Sequence, residues 1–165
     1  MNIDRYFKEI NEFYHDLKVD RTKIWYTVQH NSCKSSFEIY TKSCLQNSKC
    51  EEFELCKIEY RIGYSVSFAA PILYIRAENE NGNSFGYDQF KSLLIQFSFD
   101  SEYFKYLVQV EHPFLGLPYF SMHPCQTNEA LNQLTKALPL SFEGRQNSVK
   151  LWALLFGNLF RLGIS

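Results

Sequence analysis

From Glu54 onward, Cys56, Ile58, Tyr60, Ile62, Tyr64, Val66 and Phe68 alternate with Lys57, Glu59, Arg61, Gly63, Ser65 and Ser67. Successive side chains on an extended chain point to opposite sides, so this pattern demands a long strand with one apolar and one wet face. A sheet with one greasy face needs something to cover it. The first candidate lies near the start of the chain, where Ile3, Tyr6, Phe7, Ile10, Phe13, Tyr14 and Leu17 recur at three- and four-residue intervals, the spacing of a helix over 3–18. Its charges are mixed and not strongly basic, which favours packing on the sheet over lying on a membrane surface.

The remaining elements follow the same logic. Lys23–Gln29 and Phe37–Leu45, rich in β-branched and aromatic residues, read as paired strands separated by a turn near Asn31-Ser32. Pro71 donates no ladder hydrogen bond, so it interrupts or begins a strand that continues through Ile72–Arg76, and Asn79–Gly82 reads as a turn. Pro71–Arg76 is open to two readings, an ordinary core strand or an edge that adds a partner's strand. Asp88 is placed as the cap of a short helix bearing Phe90, Leu93, Leu94 and Phe97. A further strand is expected over Tyr103–Val110, then helices over 128–137 and 148–161, broken apart by Pro139 and Gly144. The order implies one α+β domain spanning 1–165, with helices on a mainly antiparallel sheet.

Composition narrows the function classes. With 17 Lys and Arg against 18 Asp and Glu, there is no basic field to hold nucleic acid or an anionic membrane, and protein partners are expected instead. No stretch is apolar for long enough to span a bilayer, so no stable membrane insertion is expected, and Met1–Arg5 lacks the character of a secretion signal. The expected compartment is the cytoplasm, where Cys33, Cys44, Cys50, Cys56 and Cys125 stay reduced. The spacing of Cys44, Cys50 and Cys56 lacks the close pairing of a zinc site, so no metal is expected. No Gly-rich phosphate loop appears, and no cofactor is expected.

Chemistry concentrates in Glu111–Thr127. Three prolines and a glycine stiffen or bend this stretch, while His112, His123, Glu111 and Cys125 supply polar and reactive groups, the mixture of a surface site. Pro124 biases His123 toward extended backbone, which suits a thiol leaving a strand on a rigid turn. From composition alone, an inert buried cysteine and an activated one are both open for Cys125. For His112 and His123 the structural reading, a ring hydrogen-bonded to a loop, is preferred to general-base work.

Three stretches, Glu111-His112-Pro113-x-Leu115-Gly116-x-Pro118-x-Phe120, His123-Pro124-Cys125-x-Thr127 and Tyr64-Ser65-x-Ser67-x-x-x-Pro71-Ile72-Leu73-Tyr74-x-Arg76, carry a resemblance to the autophagy-related protein 10 family of E2-like conjugating enzymes. It is good over about 57–130 and weak at both ends. The resemblance implies a ubiquitin-conjugating (E2-like) fold without the His-Pro-Asn signature, and a transferase with Cys125 as nucleophile. It further implies that autophagy-related protein 12 arrives as a thioester from the activating enzyme, autophagy-related protein 7. A lysine of autophagy-related protein 5 is then the acceptor, with recruitment to sites of autophagosome formation. His123 and Phe68 enter as auxiliary candidates, because relatives vary between His and Asn at the first and some carry Tyr at the second. Three alternatives stand beside this one: transfer to a phospholipid amine in the manner of autophagy-related protein 3, a non-catalytic scaffold of the same fold, and a cysteine hydrolase. The first is disfavoured by the absence of a long acidic insertion, the last by the lack of an Asp or Asn that sequence can pair with a histidine.

Overall fold

The computed structural model describes residues 1–19, 24–46, 55–96, 101–122 and 147–159. In chain order the elements are α1 (Ile3–Val19), β1 (Trp25–Gln29), β2 (Phe37–Gln46), β3 (Leu55–Ser65), β4 (Ala70–Asn79), α2 (Tyr87–Gln96), β5 (Leu107–Glu111), β6 (Pro118–Met122) and α3 (Ser148–Leu159). The six strands form one sheet in the order β1-β2-β3-β4-β6-β5, and every pairing is antiparallel. This is the α+β architecture expected from the sequence.

The alternation in β3 sorts the sheet into two faces. Its inward residues Cys56, Ile58, Tyr60 and Ile62 are buried in one core with Ile39 of β2, Leu73, Ile75 and Ala77 of β4, and Leu107, Phe120 and Met122 of the β5–β6 hairpin. Tyr6, Ile10, Phe13 and Leu17 of α1 complete that core with Val149, Trp152 and Ala153 of α3 and Phe90, Leu93 and Leu94 of α2. The Phe90 and Phe120 rings stack at 4.2 Å, tying α2 to β6.

A buried carboxylate joins the two long helices. Asn147 caps α3, accepting the Lys150 backbone N–H at 2.9 Å. Glu9 of α1 then reaches across, and its Oε2 accepts the Ser148 and Val149 backbone N–H groups at 2.7 and 3.3 Å. Anionic charge at a helix N-terminus is favoured by the oriented peptide dipoles, and Arg5 Nε donates to the other oxygen at 2.6 Å.

Several boundaries differ from the sequence reading. The alternating pattern runs through Phe68, but the strand ends at Ser65, because residues 66–69 form a turn in which Ala69 takes φ of 49°. Asp88 lies in the first turn of α2 and not at its cap; the helix starts at Tyr87, and Gln89 Oε1 accepts the Gly86 N–H at 3.0 Å. Ser101–Tyr106 is 3₁₀ helix, so the following strand starts only at Leu107. Pro118 opens β6, a strand absent from the sequence reading. Pro71 is the second residue of β4, opposite Tyr64, and has no partner on β6 among the described residues, in keeping with a proline near the start of a strand. Tyr74 and Ile75 pair with β6, which overturns the edge reading there. The helix expected at 128–137 lies outside the described residues.

Replacing Glu9 by Ala removes a charged acceptor from two helix-terminal N–H groups. It is expected to destabilise the fold by about 1–3 kcal/mol, measured as a lower urea midpoint with an unchanged slope.

Candidate functional site

Cys125 and His123 lie outside the described residues, and the structure places what leads to them. β6 ends at Met122, three positions before Cys125. Ser121 faces Tyr74 and Phe120 faces Ile75 in antiparallel register, so β6 runs toward the beginning of β4, where the β3–β4 turn sits. Phe68 lies in that turn with 39% of its surface exposed, near Val66 at 68%. The Ala69 N–H closes the turn on Val66 O at 3.3 Å. Phe68 therefore occupies the end of the sheet toward which β6 points.

The opposite face of the sheet carries an ionic cluster. Glu38, 1% exposed, is the outward residue of β2, in the same row as Gly63 of β3 and Ile72 of β4. Its Oε2 takes a hydrogen bond with His30 Nε2 at 3.1 Å and lies 3.4 Å from Arg61 Nη1. Its Oε1 is 3.1 Å from Nε2 of the fully buried His112. That last approach is close but lacks hydrogen-bond alignment, so we read it as a dipole set against a charge. Arg61 also donates from Nε to Glu59 and, at 3.2 Å, to the Tyr119 hydroxyl, while its guanidinium sits 4.6 Å over the Tyr40 ring. Glu59 accepts the Tyr119 O–H at 2.9 Å and pairs with Lys42 at 2.9 Å. Burial alone raises the Glu38 carboxyl pKa, but His112 and His30 together outweigh it and hold the group below its ordinary value. The same competition, with Lys42, Arg61 and Tyr119 as partners, lowers Glu59. Burial, then the Glu59 charge, push the Tyr119 phenol up to about 12, so it remains a donor at neutral pH.

This cluster is covered by the β5–β6 hairpin. Ile72, Tyr74 and Tyr119 form a second small core there, flanked by Val110 and Leu115. The His112 ring lies 4.6 Å from Tyr74 and 5.1 Å from Tyr119, and Phe114 stacks on His30 at 4.8 Å. Gly63 leaves the space the carboxylate occupies: a Cβ there would lie 3.3 Å from Glu38 Oε1 and 3.4 Å from Tyr74.

Among the described residues, His30, Glu38 and His112 have metal-ligand potential, their donor atoms all within 4.8 Å of one another. Two observations favour an ion-and-hydrogen-bond cluster instead. The Phe114 N–H donates to His112 Nδ1 at 3.3 Å, which puts the ring proton on Nε2, the atom a metal would need bare. Arg61 already supplies positive charge at the same carboxylate.

The sequence reading of His112 as a structural histidine agrees with this geometry, whereas Glu38, Arg61 and Tyr119 were not singled out. A charged residue on the wet phase of a strand ordinarily faces water, and only Gly63 among them hinted at crowding. The cysteines divide by face. Cys33 and Cys44 are exposed, while Cys56 is buried on the core side and its thiol is pushed up to about 11 by burial, then by Cys44. Cys50 lies outside the described residues.

Residues 8–161 match the family described as autophagocytosis associated protein, active-site domain. The chain is 32% identical over 111 residues to the ubiquitin-like-conjugating enzyme ATG10 of Homo sapiens, covering 62% of this chain and 48% of that protein. To the enzyme of the same name from Arabidopsis thaliana it is 30% identical over 83 residues, 48% of this chain and 36% of that protein. The matched stretch thus spans about half or less of these curated relatives. Among solved structures, a crystal structure of the autophagic E2 Atg10 superposes with a TM-score of 0.60 at 16% identity, over 94% of this chain and 93% of that one. The likeness extends the α+β sheet-and-helix arrangement to an E2-like fold.

Two measurements check the site. A folded-state pKa below the unfolded one, near 4.3 for Glu, contributes stability that is complete above that value and is lost as pH falls through the lower one. Stability of the wild-type chain should therefore decline below about pH 4.3, and Glu38→Gln should decline less steeply in urea titrations from pH 7 to 3. In brief native alkylation read by peptide mass spectrometry, Cys44 should label and Cys56 should stay protected until denaturant is added.

Proposed function

Because the chain belongs to the autophagocytosis associated protein, active-site domain family, we propose that it is an E2-like conjugating enzyme that carries a ubiquitin-like modifier on Cys125 and passes it to a lysine. The observation that carries this reading is the family's active-site domain spanning 8–161, a range that contains His123-Pro124-Cys125. The curated relatives, named as ubiquitin-like-conjugating enzymes, point the same way.

In the first step the Cys125 thiolate attacks the modifier's C-terminal carbonyl, held as a thioester on the activating enzyme, and the activating enzyme's thiolate leaves. In the second, a lysine ε-amine adds to the carbonyl of the new thioester. The tetrahedral oxyanion collapses, Cys125 departs as thiolate, and the amine loses its proton to leave an isopeptide bond. Each exchange needs a reachable sulfur of moderate pKa more than a strongly activated one. Backbone N–H groups, Gln126 and Thr127 are the donors nearest in sequence for the oxyanion, and His123 and Phe68 are auxiliary positions. The chain itself needs no cofactor in either step, since activation of the carbonyl precedes it.

The finer assignment follows the resemblance: autophagy-related protein 12 as modifier, autophagy-related protein 7 as activating enzyme and autophagy-related protein 5 as acceptor, in the cytoplasm. No helix among the described residues is long and apolar enough to cross a membrane.

Incubation with activating enzyme, modifier and ATP should give a reductant-sensitive adduct on the wild-type chain and a reductant-stable oxyester on Cys125→Ser. Absence of both would refute the reading, and conjugation undiminished in Cys125→Ala would identify a scaffold. With the adduct isolated, Phe68→Ala and His123→Ala should slow its discharge to the acceptor; rates equal to wild type would reduce both to structural residues.

A further inference from the structure

We propose that Glu38 is a positioning residue for transfer, a buried anionic clamp that sets the course of β6 by holding the loop between β5 and β6 over the outer face of the sheet. The inference rests on the reading of Cys125 as the acyl carrier, and it concerns how the fold aims the strand that precedes it.

Among the described residues β6 pairs with β4 at Ser121 with Tyr74 and Phe120 with Ile75, which leaves Pro118 and Tyr119, at the end that carries the β5–β6 loop, without a β4 partner. The hairpin is internally sound, with five paired positions between β5 and β6 and a loop closed by the His112 N–H to Leu117 O and the Gly116 N–H to His112 O. At its loop end, where the described residues show no pairing to β4, the position of the hairpin depends on side chains. On the core side Phe120 stacks on Phe90. On the outer side the fixed points are polar: Tyr119 on Glu59 and Arg61, and His112 on Glu38.

Glu38 is where these contacts converge. A carboxylate with 1% exposure has lost its water and needs partners. It finds them on three separate segments: His30 between β1 and β2, Arg61 on β3 and His112 on the hairpin. Facing it are those three and the phenols of Tyr74 and Tyr6, on which its charge acts, with Glu59, Lys42 and Tyr119 one contact further out. His112 is locked from behind by the Phe114 N–H on Nδ1, and Phe114 is itself stacked on His30, so the hairpin tip cannot shift without breaking contacts to Glu38 or to its partner. Gly63 fits the arrangement, since a side chain there would press on both the carboxylate and Tyr74. Loss of the charge removes the outer anchor of the loop end of β6. Misplacement of a reacting group by about 1 Å slows a reaction strongly without weakening substrate binding.

The test uses the full chain, preloaded with modifier, and free lysine as the amine, with discharge followed at saturating and subsaturating lysine. Glu38→Gln keeps the shape and removes the charge. It should lower the maximal discharge rate about tenfold or more while leaving the lysine concentration for half-maximal rate unchanged. Glu9→Ala, which loosens the α1–α3 junction away from the outer face, should discharge at the wild-type rate per folded molecule and so separates positioning from general destabilisation. Should Glu38→Gln fail to fold, His30→Gln, at the more exposed end of the cluster, should give a smaller loss of the same kind. Combined with Glu38→Gln, His112→Gln should slow discharge no further than the slower single variant.

Wild-type chain that takes up no modifier refutes the carrier reading itself. Wild-type chain that loads and discharges, with Glu38→Gln and His30→Gln discharging at the same rate, overturns the clamp. Stoichiometric zinc in the purified protein, lost in His112→Gln, overturns it as well, because a metal ion would then hold the hairpin.

Discussion

Both faces of this sheet are covered, and only one of them is dry. α1, α2 and α3 seal the inner face with aromatic and branched aliphatic side chains, the usual outcome for an alternating strand such as β3. The loop between β5 and β6, with Tyr119 beside it, then closes over part of the outer face and traps residues whose chemistry is that of a wet surface: Glu38, Glu59, Arg61 and His112. Charges removed from water persist only where opposite charges and hydrogen-bond partners meet them. The pairing of Glu38 is therefore a condition on the whole outer layer, and it ties together segments that are far apart in the chain.

The same layering separates two kinds of thiol. Cys56 faces the dry side, where burial raises its pKa and keeps it protonated and inert. Cys125 belongs to the segment that follows β6 in the sequence, after the strand has run to the end of the sheet that carries the β3–β4 turn. In the proposed function the sheet is the fixed platform and β6 the strand that leads from it to the carrier. Acyl exchange between proteins asks for this combination: reach for two large partners, and little freedom in the strand before the sulfur.

Much of the inner half was legible in the sequence. Tyr6, Ile10, Phe13 and Leu17 are buried on α1 as their spacing required, and Cys56, Ile58, Tyr60 and Ile62 keep the phase read for β3. The periodicity overran at Val66 and Phe68 because the turn uses Ala69 at positive φ, with none of the Gly, Pro or Asn signals that mark turns. β6 escaped notice for the converse reason: Pro113, Gly116 and Pro118 look like loop, although a proline is tolerated as the first residue of a strand. Glu38 was illegible in principle. In β2 it reads as one more solvated charge, and its burial comes from His112 and Phe114, brought over it by tertiary folding. The cysteine segment, outside the described residues, was read from its motif and not from any periodic pattern.

The central claim, that Cys125 carries the modifier covalently, is tested most directly by intact-mass measurement on the wild-type chain after mixing with activating enzyme, modifier and ATP, followed by peptide mapping under non-reducing, mildly acidic conditions. The account predicts one added modifier, less one water, mapped to the peptide containing Cys125 and released by thiols. A chain that stays at its own mass, or one whose modifier maps to Cys33, Cys44 or a lysine, would contradict it.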